Sequence, residues 1–401
     1  MVSYRNVVLI IFPMDPFGTK IGGIKTCIKN IIQYSPDNLK IELIGISSDK
    51  KRFNTGKWHK VNIGKKEIDF LPVLHITNEN SRSRIPLAFY FIIALLRYRN
   101  RINTANKILQ FHRMEPLLLF RKLKNRMVLF IHGNRNDLYN PYSEVRWSKF
   151  PWAYFKLERS LIEKACKLYI VSEEGVSAYK EKYPKLIERI SFLPTWADRS
   201  IFYPLDPKHK QRNKNIFLQK KNLGKKEKII LFAGRLEKQK DPLLLMEVFR
   251  HLGEKNPGLA FIIVGEGSYR AFMLEKIKNY NLYDSTCLFG AADQKKLSNI
   301  MRISDLCLLT SAFEGMPRSV LESLACGIPV VTTNAGEVHK VVRNNYSGFI
   351  TNERDPEIIG NLVIEVLDKI EYFSPDNCVS SIKDYTADII LKNIYRDYEK
   401  L

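Results

Sequence analysis

Between Asp305 and Gly336 the chain reads DLCLLTSAFEGMPRSVLESLACGIPVVTTNAG, and no other stretch restricts the fold as much. Leu306-Cys307-Leu308-Leu309 is an apolar run with the length of a buried strand. Glu314-Gly315-Met316-Pro317 reads as a turn, and Pro317 suits the opening turn of a helix, where a missing backbone donor costs nothing. Val320, Leu321, Leu324 and Ala325 then recur at helical spacing, Gly327 stands at a C-cap position, and Pro329-Val330-Val331 opens another strand. A strand-helix-strand unit of this length is a right-handed parallel crossover, so the chain is expected to be α/β.

Two carboxylates are spaced tellingly within that unit. Glu314 sits on the turn after the strand, and Glu322 follows inside the helix. Turns at the carboxyl ends of parallel strands are where open α/β sheets bind ligands. A helix start also leaves N–H groups for hydroxyl or phosphate oxygens. Ionised carboxylates only accept hydrogen bonds, so a pair of them fits a ligand rich in hydroxyls. The spacing alone fits equally well a solvated helix carboxylate beside a turn carboxylate.

The surrounding residues decide between the two. The Glu-x7-Glu pair in EGMPRSVLES, followed by ACGIPVV, resembles the signature of the retaining family-4 glycosyltransferases, the glycosyl transferases group 1. The resemblance implies a GT-B fold: two Rossmann-like domains with parallel sheets facing each other across a cleft, the nucleotide-sugar held mainly by the second. On this reading residues 1–203 form the N-terminal, acceptor-side domain and 204–384 the donor-binding domain. A final helix, 385–401, returns to the first.

The length of 401 residues is enough for two such domains. No apolar run reaches the roughly 18 to 20 residues that span a bilayer. The run Val7–Phe12 reads as a first strand and not as a secretory signal. Six cysteines without a CxxC pair point to reduced thiols, with neither a disulfide frame nor a zinc site. The expected location is therefore cytoplasmic. The net charge is +22, and residues 1–200, with 35 Lys+Arg against 17 Asp+Glu, carry most of it. A half that basic attracts an acidic partner, and an anionic membrane face is expected over nucleic acid because the nucleotide-like motifs lie in the other half. A coding bias towards lysine would give the same composition. Pro86–Leu96 with Arg97, Arg99 and Arg101 reads either as a membrane-associating helix or as a core helix with a charged end.

Taken in order, Gly22-Gly23 precede a helix expected from about Lys25 to Tyr34, where glycines let backbone amides approach a diphosphate. The resemblance makes this the loop that caps the donor phosphates, although Ile24 and Lys25 depart from the family's usual residues. Leu39–Ser47 alternates like a strand, and residues 50–70 read as irregular. Two strand-like runs end in His112 and His132. The resemblance gives His132 a contact to the transferred sugar, and gives His112, Arg113 and Glu115 to the acceptor side. Residues 205–228, dense in lysine, read as a solvated linker and first helix.

The strand Ile229–Ala233 runs into Gly234, Arg235 and Lys240, and two cations at a strand's carboxyl end suit a diphosphate. The family pattern implies that both bind it. Asp241 stands where the family usually has glycine, which puts the turn in question. Gly265-Glu266-Gly267 lacks the third glycine of a dinucleotide fingerprint, and the resemblance makes Gly265 and Ala291 the border of the nucleobase pocket. The donor set is then Gly22, Gly23, Gly234, Gly265, Ala291, Glu314, Gly315, Met316, Pro317 and Glu322, with His132, Arg235, Lys240 and Glu314 catalytic.

The expected function is that of a retaining, metal-independent hexosyltransferase. It would use a nucleoside-diphosphate sugar, no other cofactor, and a glycan acceptor, lipid-linked, for capsule or lipopolysaccharide at the inner face of the cytoplasmic membrane. Two readings compete: a basic nucleic-acid-binding α/β protein, and a nucleotide-dependent epimerase or oxidoreductase.

Overall fold

The computed structural model describes residues 6–19, 22–77, 85–133, 150–224 and 226–401, in two compact units. The first holds the described residues up to Pro194 together with Asp388–Leu401, and the second is Thr195–Ala387. The first therefore ends at Pro194, before the expected 203. Trp196, Ala197 and Phe202 are buried, the last two in the core of the second unit, and Ala197 forms a bridge with Thr386.

The first unit is built on eight strands: β1 (Asn6–Ile11), β2 (Leu39–Ser47), β3 (His59–Ile63), β4 (Lys66–His75), β5 (Lys107–Phe111), β6 (Arg126–Ile131), β7 (Lys167–Ile170) and β8 (Ile190–Phe192). Their order is β3-β4-β2-β1-β5-β6-β7-β8, parallel except where β3 pairs with β4. Residues 50–70 are thus not irregular. Val61, Ile63, Ile68 and Phe70 are buried on alternate positions of a hairpin that turns at Gly64, with φ +60°. Lys60, Asn62, Glu67 and Asp69 alternate with them on the other face. Val8, Leu9, Ile10 and Ile11 are wholly buried, as a central parallel strand covered on both faces requires.

The helix Leu87–Arg97 takes neither expected form alone. Ala88, Phe91, Ala94 and Leu95 pack inward, while Phe89, Tyr90, Ile93 and Leu96 are exposed. Residues 388–401 bury Ile390, Leu391, Ile394 and Tyr398 in the first unit. They are tied there by the Tyr395 hydroxyl donating to Ile31 O at 2.5 Å.

The second unit holds β9 (Lys228–Ala233), β10 (Leu259–Val264), β11 (Thr286–Gly290), β12 (Leu306–Leu309), β13 (Val330–Thr333) and β14 (Gly348–Thr351). All are parallel, in the order β11-β10-β9-β12-β13-β14. The lysine-rich segment is not simply solvated. In its helix, Pro207–Lys220, Lys214 is buried and donates to both Asp305 oxygens at 3.0 Å. Asp305 also accepts from Ile229 N at 2.7 Å, so the pair fixes the helix to the starts of β9 and β12. Lys225 of that segment lies outside the described residues.

Each sheet has one place where successive connections run off in opposite directions. In the first it is between β1 and β5, and in the second between β9 and β12. The carboxyl ends of such a strand pair leave an open crevice, which is where sheets of this kind bind ligands.

Candidate functional site

At the switch point of the second sheet the loops after β9 and β12 are laced together. Ala312 N donates to Gln239 O at 2.8 Å, Gln239 Nε2 to Phe313 O at 3.1 Å, and Thr310 Oγ1 to Lys240 O at 2.9 Å. This lacing brings Lys240 Nζ onto Glu314 Oε1, an ion pair whose side chains are both nearly buried. Ser311 Oγ donates to the same oxygen at 2.9 Å. Glu314 Oε2 has no partner among the described residues and remains an acceptor. Arg235 lies on the same loop and donates to Gln239 Oε1 at 3.0 Å.

The glycines here fall into two kinds. Gly265 has φ +152°, and a Cβ on it would stand 1.8 Å from Gly234 O. Gly336 has φ +68°, and its Cβ would stand 2.1 Å from Gly315 O, which accepts from Glu337 N at 2.7 Å. These positions need glycine for the chain's own packing. Gly290 O accepts from Gly265 N at 2.9 Å and leads to the exposed Ala291. Met316 is buried, and Pro317 immediately precedes the helix Arg318–Ala325, whose chain leaves through Gly327 at φ +73°.

Asp241 resolves the question its identity raised. It adopts the left-handed conformation, φ +46° and ψ +69°, that glycine would take there, and aspartate is among the few other residues that visit it. Its side chain caps the helix Pro242–Lys255 through Leu244 N at 3.2 Å and pairs with Arg354 at 2.5 Å. Arg354 in turn donates to Thr310 O at 3.0 Å and Ser311 O at 2.9 Å.

Glu322 is 4% exposed, and burial pushes its carboxyl up to about 7. Arg318 opposes that shift from 3.8 Å and Asp198 adds to it, but desolvation dominates. The Arg318 Nη1 atom is buried without a hydrogen-bond partner among the described residues, and the guanidinium lies 5.8 Å from the Trp196 ring centre. A buried carboxyl beside a guanidinium nitrogen that makes no hydrogen bond marks a position suited to a polar ligand.

The other expected residues belong to the first unit, again at its switch point. Gly22 is the N-cap of the helix Gly23–Gln33, which begins two residues before the expected start. A Cβ on Gly22 or Gly23 would meet nothing within 4 Å among the described residues, so no packing against them demands glycine there. Arg113 and Glu115 pair with each other at 2.7 Å.

His112 is buried and does not present itself as an acceptor contact. Its ring stacks on Phe130 at 4.5 Å and on His132 at 5.1 Å between centres. His112 Nδ1 lies 2.8 Å from His132 Nε2, and His112 Nε2 lies 2.7 Å from Gln110 Nε2. The Tyr398 hydroxyl donates to Gln110 Oε1 at 2.6 Å. Burial and His132 together hold His112 well below the usual imidazole range, hence neutral. Cys27 stands against the pair, with ligand atoms of the three residues all within 4.8 Å.

Sequence reading missed Gln110, Tyr398, Gln239, Arg354 and Arg318. Gln239, Arg354 and Tyr398 act across separations that no local pattern encodes, Tyr398 reaching Gln110 from the far end of the chain, whereas Arg318 stands one helical turn before Glu322 and Gln110 two residues before His112.

Residues 213–373 match the family described as "Glycosyl transferases group 1". The chain is 31% identical over 202 residues to the UDP-Gal:alpha-D-GlcNAc-diphosphoundecaprenol alpha-1,3-galactosyltransferase of Escherichia coli, covering 48% of this chain and 49% of that one. It is 25% identical over 250 residues to the 2-deoxystreptamine N-acetyl-D-glucosaminyltransferase of Niallia circulans, covering 61% of each. The chain thus spans 49% and 61% of the length of these two relatives. Among solved structures it resembles sucrose-phosphate synthase from Thermosynechococcus elongatus, with TM-score 0.78, 16% identity and 99% of both chains covered. It also resembles Anabaena Alr3699/HepE in complex with UDP and glucose, with TM-score 0.73, 15% identity, and 98% and 99% covered. At such identities the likeness is one of fold.

Proposed function

Since the chain belongs to the glycosyl transferases group 1 through residues 213–373 and has the GT-B fold, we propose that it is a retaining hexosyltransferase acting from a nucleoside-diphosphate sugar. The observation that carries this reading is the Glu314 carboxylate. One oxygen is locked by Lys240 and Ser311, and the other is left to accept from a hydroxyl-rich ligand. Glu322, buried beside Arg318, whose Nη1 makes no hydrogen bond among the described residues, is the second acceptor and takes the ribose hydroxyls once ionised.

In the reaction, the bond from the anomeric carbon to the β-phosphate oxygen breaks. The acceptor oxygen bonds to that carbon on the same face, and the acceptor's proton passes to the departing phosphate. Charge accumulates on the phosphate, and preorganised cations and amides stabilise it. Lys240 is already half neutralised by Glu314, so Arg235 supplies the larger share of uncompensated charge. The reading is metal-independent, because these groups supply the positive charge that a cation would.

The acceptor is a glycan on a lipid carrier, in surface polysaccharide assembly at the inner face of the cytoplasmic membrane. Two observations favour this: the diphosphoundecaprenol acceptor named for the Escherichia coli relative, and the exposed apolar face of Leu87–Arg97. No helix of the described residues is long and apolar enough to cross a membrane, so attachment would be peripheral.

The test is calorimetric titration of UDP, GDP and ADP into wild type and Glu322→Ala. One diphosphate should bind, and the substitution should abolish it. Equal binding of that nucleotide by both proteins, or binding of none, would remove the donor site as assigned.

A further inference from the structure

The buried chain Tyr398–Gln110–His112–His132 has a direction, and the direction follows from what each atom is able to do. The Gln110 and Tyr398 side chains are wholly buried or nearly so, and His112 is 3% exposed, so each polar atom needs a partner within the protein. The Tyr398 hydroxyl carries a proton, and Gln110 Oε1, at 2.6 Å, is its acceptor. That contact orients the amide. Gln110 Nε2 therefore faces His112 Nε2 at 2.7 Å, and an amide nitrogen only donates. His112 Nε2 must accept, so the proton of this neutral imidazole sits on Nδ1. Nδ1 then donates to His132 Nε2 at 2.8 Å. The opposite amide orientation would leave the buried tyrosine proton without an acceptor among the described residues, at a cost comparable to a lost hydrogen bond. Phe130, stacked on His112, and Phe12, edge-on at 6.0 Å, keep the ring from turning over.

We propose that Tyr398, Gln110 and His112 are positioning residues that hold His132 as its Nδ1–H tautomer, with Nε2 committed to His112. With that lone pair committed, His132 does not take the acceptor's proton in the transfer. The role in transfer rests on the glycosyl-transfer reading, whereas the tautomer does not. The relay is also incompatible with a metal held by Cys27, His112 and His132. With His112 Nε2 occupied by Gln110, such an ion would take Nδ1, the nitrogen that bridges the two rings.

The test is long-range proton–nitrogen NMR of the 15N-labelled full-length protein without substrate. His112 and His132 should both appear as Nδ1–H tautomers. Gln110→Glu places an acceptor at both ends of residue 110, draws a proton onto His112 Nε2, and should reverse both rings to Nε2–H. Tyr398→Phe, which removes a single hydroxyl, frees the amide to turn and should give His132 as a mixture. An Nε2–H His132 in wild type, or tautomers unmoved by either substitution, would overturn the proposal. So would stoichiometric zinc in protein purified without chelator and lost in Cys27→Ser. None of these readings needs turnover, so failure here is separable from failure of the donor assignment.

Discussion

Glu322 shows how one buried carboxyl ties stability to binding. Its folded pKa, about 7, lies above the unfolded value near 4.5. The folded state therefore keeps a proton that the unfolded state sheds. The stabilisation is complete below about pH 4.5, declines as pH rises towards 7, and is gone above it. We expect the urea midpoint of wild type to fall over that window, by up to about 3 kcal/mol of stability. Glu322→Gln should flatten the curve, and a slope that persisted would assign it to other groups. Nucleotide affinity should move the opposite way in wild type, strengthening as the carboxylate forms. Gly23 makes a second case. It opens a helix and its Cβ would meet nothing, so Gly23→Ala should raise the melting temperature, by roughly 0.4–1 kcal/mol in stability, through the unfolded chain. If the amides of this turn approach the donor phosphates, the same substitution should weaken nucleotide-sugar use. A variant more stable and equally active would take the glycine out of the site.

Among the elements, what was legible in the sequence was what repeats over short distances. The stretch 305–336 gave strand, turn, helix and C-cap because apolar period and turn residues act within a few positions, and β12, Arg318–Ala325 and Gly327 stand where they were expected. The hairpin β3–β4 was not legible because the alternation carried by Val61, Ile63, Ile68 and Phe70 offers only two buried apolar positions on either side of the turn at Gly64. His112 was expected on the acceptor side, yet it is buried and both its ring nitrogens are engaged within the protein, by Gln110 and His132. Asp241 was the reverse case: an aspartate where glycine was expected, in a left-handed conformation that glycine also adopts. Its left-handed backbone, cap and Arg354 pair make a testable joint. Asp241→Ala keeps a Cβ at positive φ but loses both the polar group that lets aspartate tolerate it and the cap, and should cost about 1–3 kcal/mol. Asp241→Gly keeps the conformation and should cost less. Equal losses measured by chemical denaturation would show that backbone conformation is not what the position selects.

At the scale of the whole molecule, positive charge and apolar exposure coincide in the first unit. Residues 1–200 hold most of the +22, and Leu87–Arg97 exposes Phe89, Ile93 and Leu96 next to exposed Arg97, Arg99 and Arg101. Anionic vesicles should therefore sediment the protein, and neutral ones much less, with binding that falls as salt rises. Phe89→Ser with Ile93→Ser should remove the part that salt leaves behind. Binding indifferent to both lipid charge and those two substitutions would sever the apolar face from any membrane role.

The order of the chain sets one more condition on how such a molecule comes to exist. Residues 388–401 fill the core of a unit whose sheet is otherwise made of residues before 195. A ribosome reaches Tyr398 only after synthesising all of Thr195–Ala387, on the order of ten seconds or more at ordinary elongation rates. Through that interval Gln110 has no tyrosine to receive from, and the second unit is free to fold before the first is finished. The earlier-made half is thus the later-completed one, and it must be shielded meanwhile.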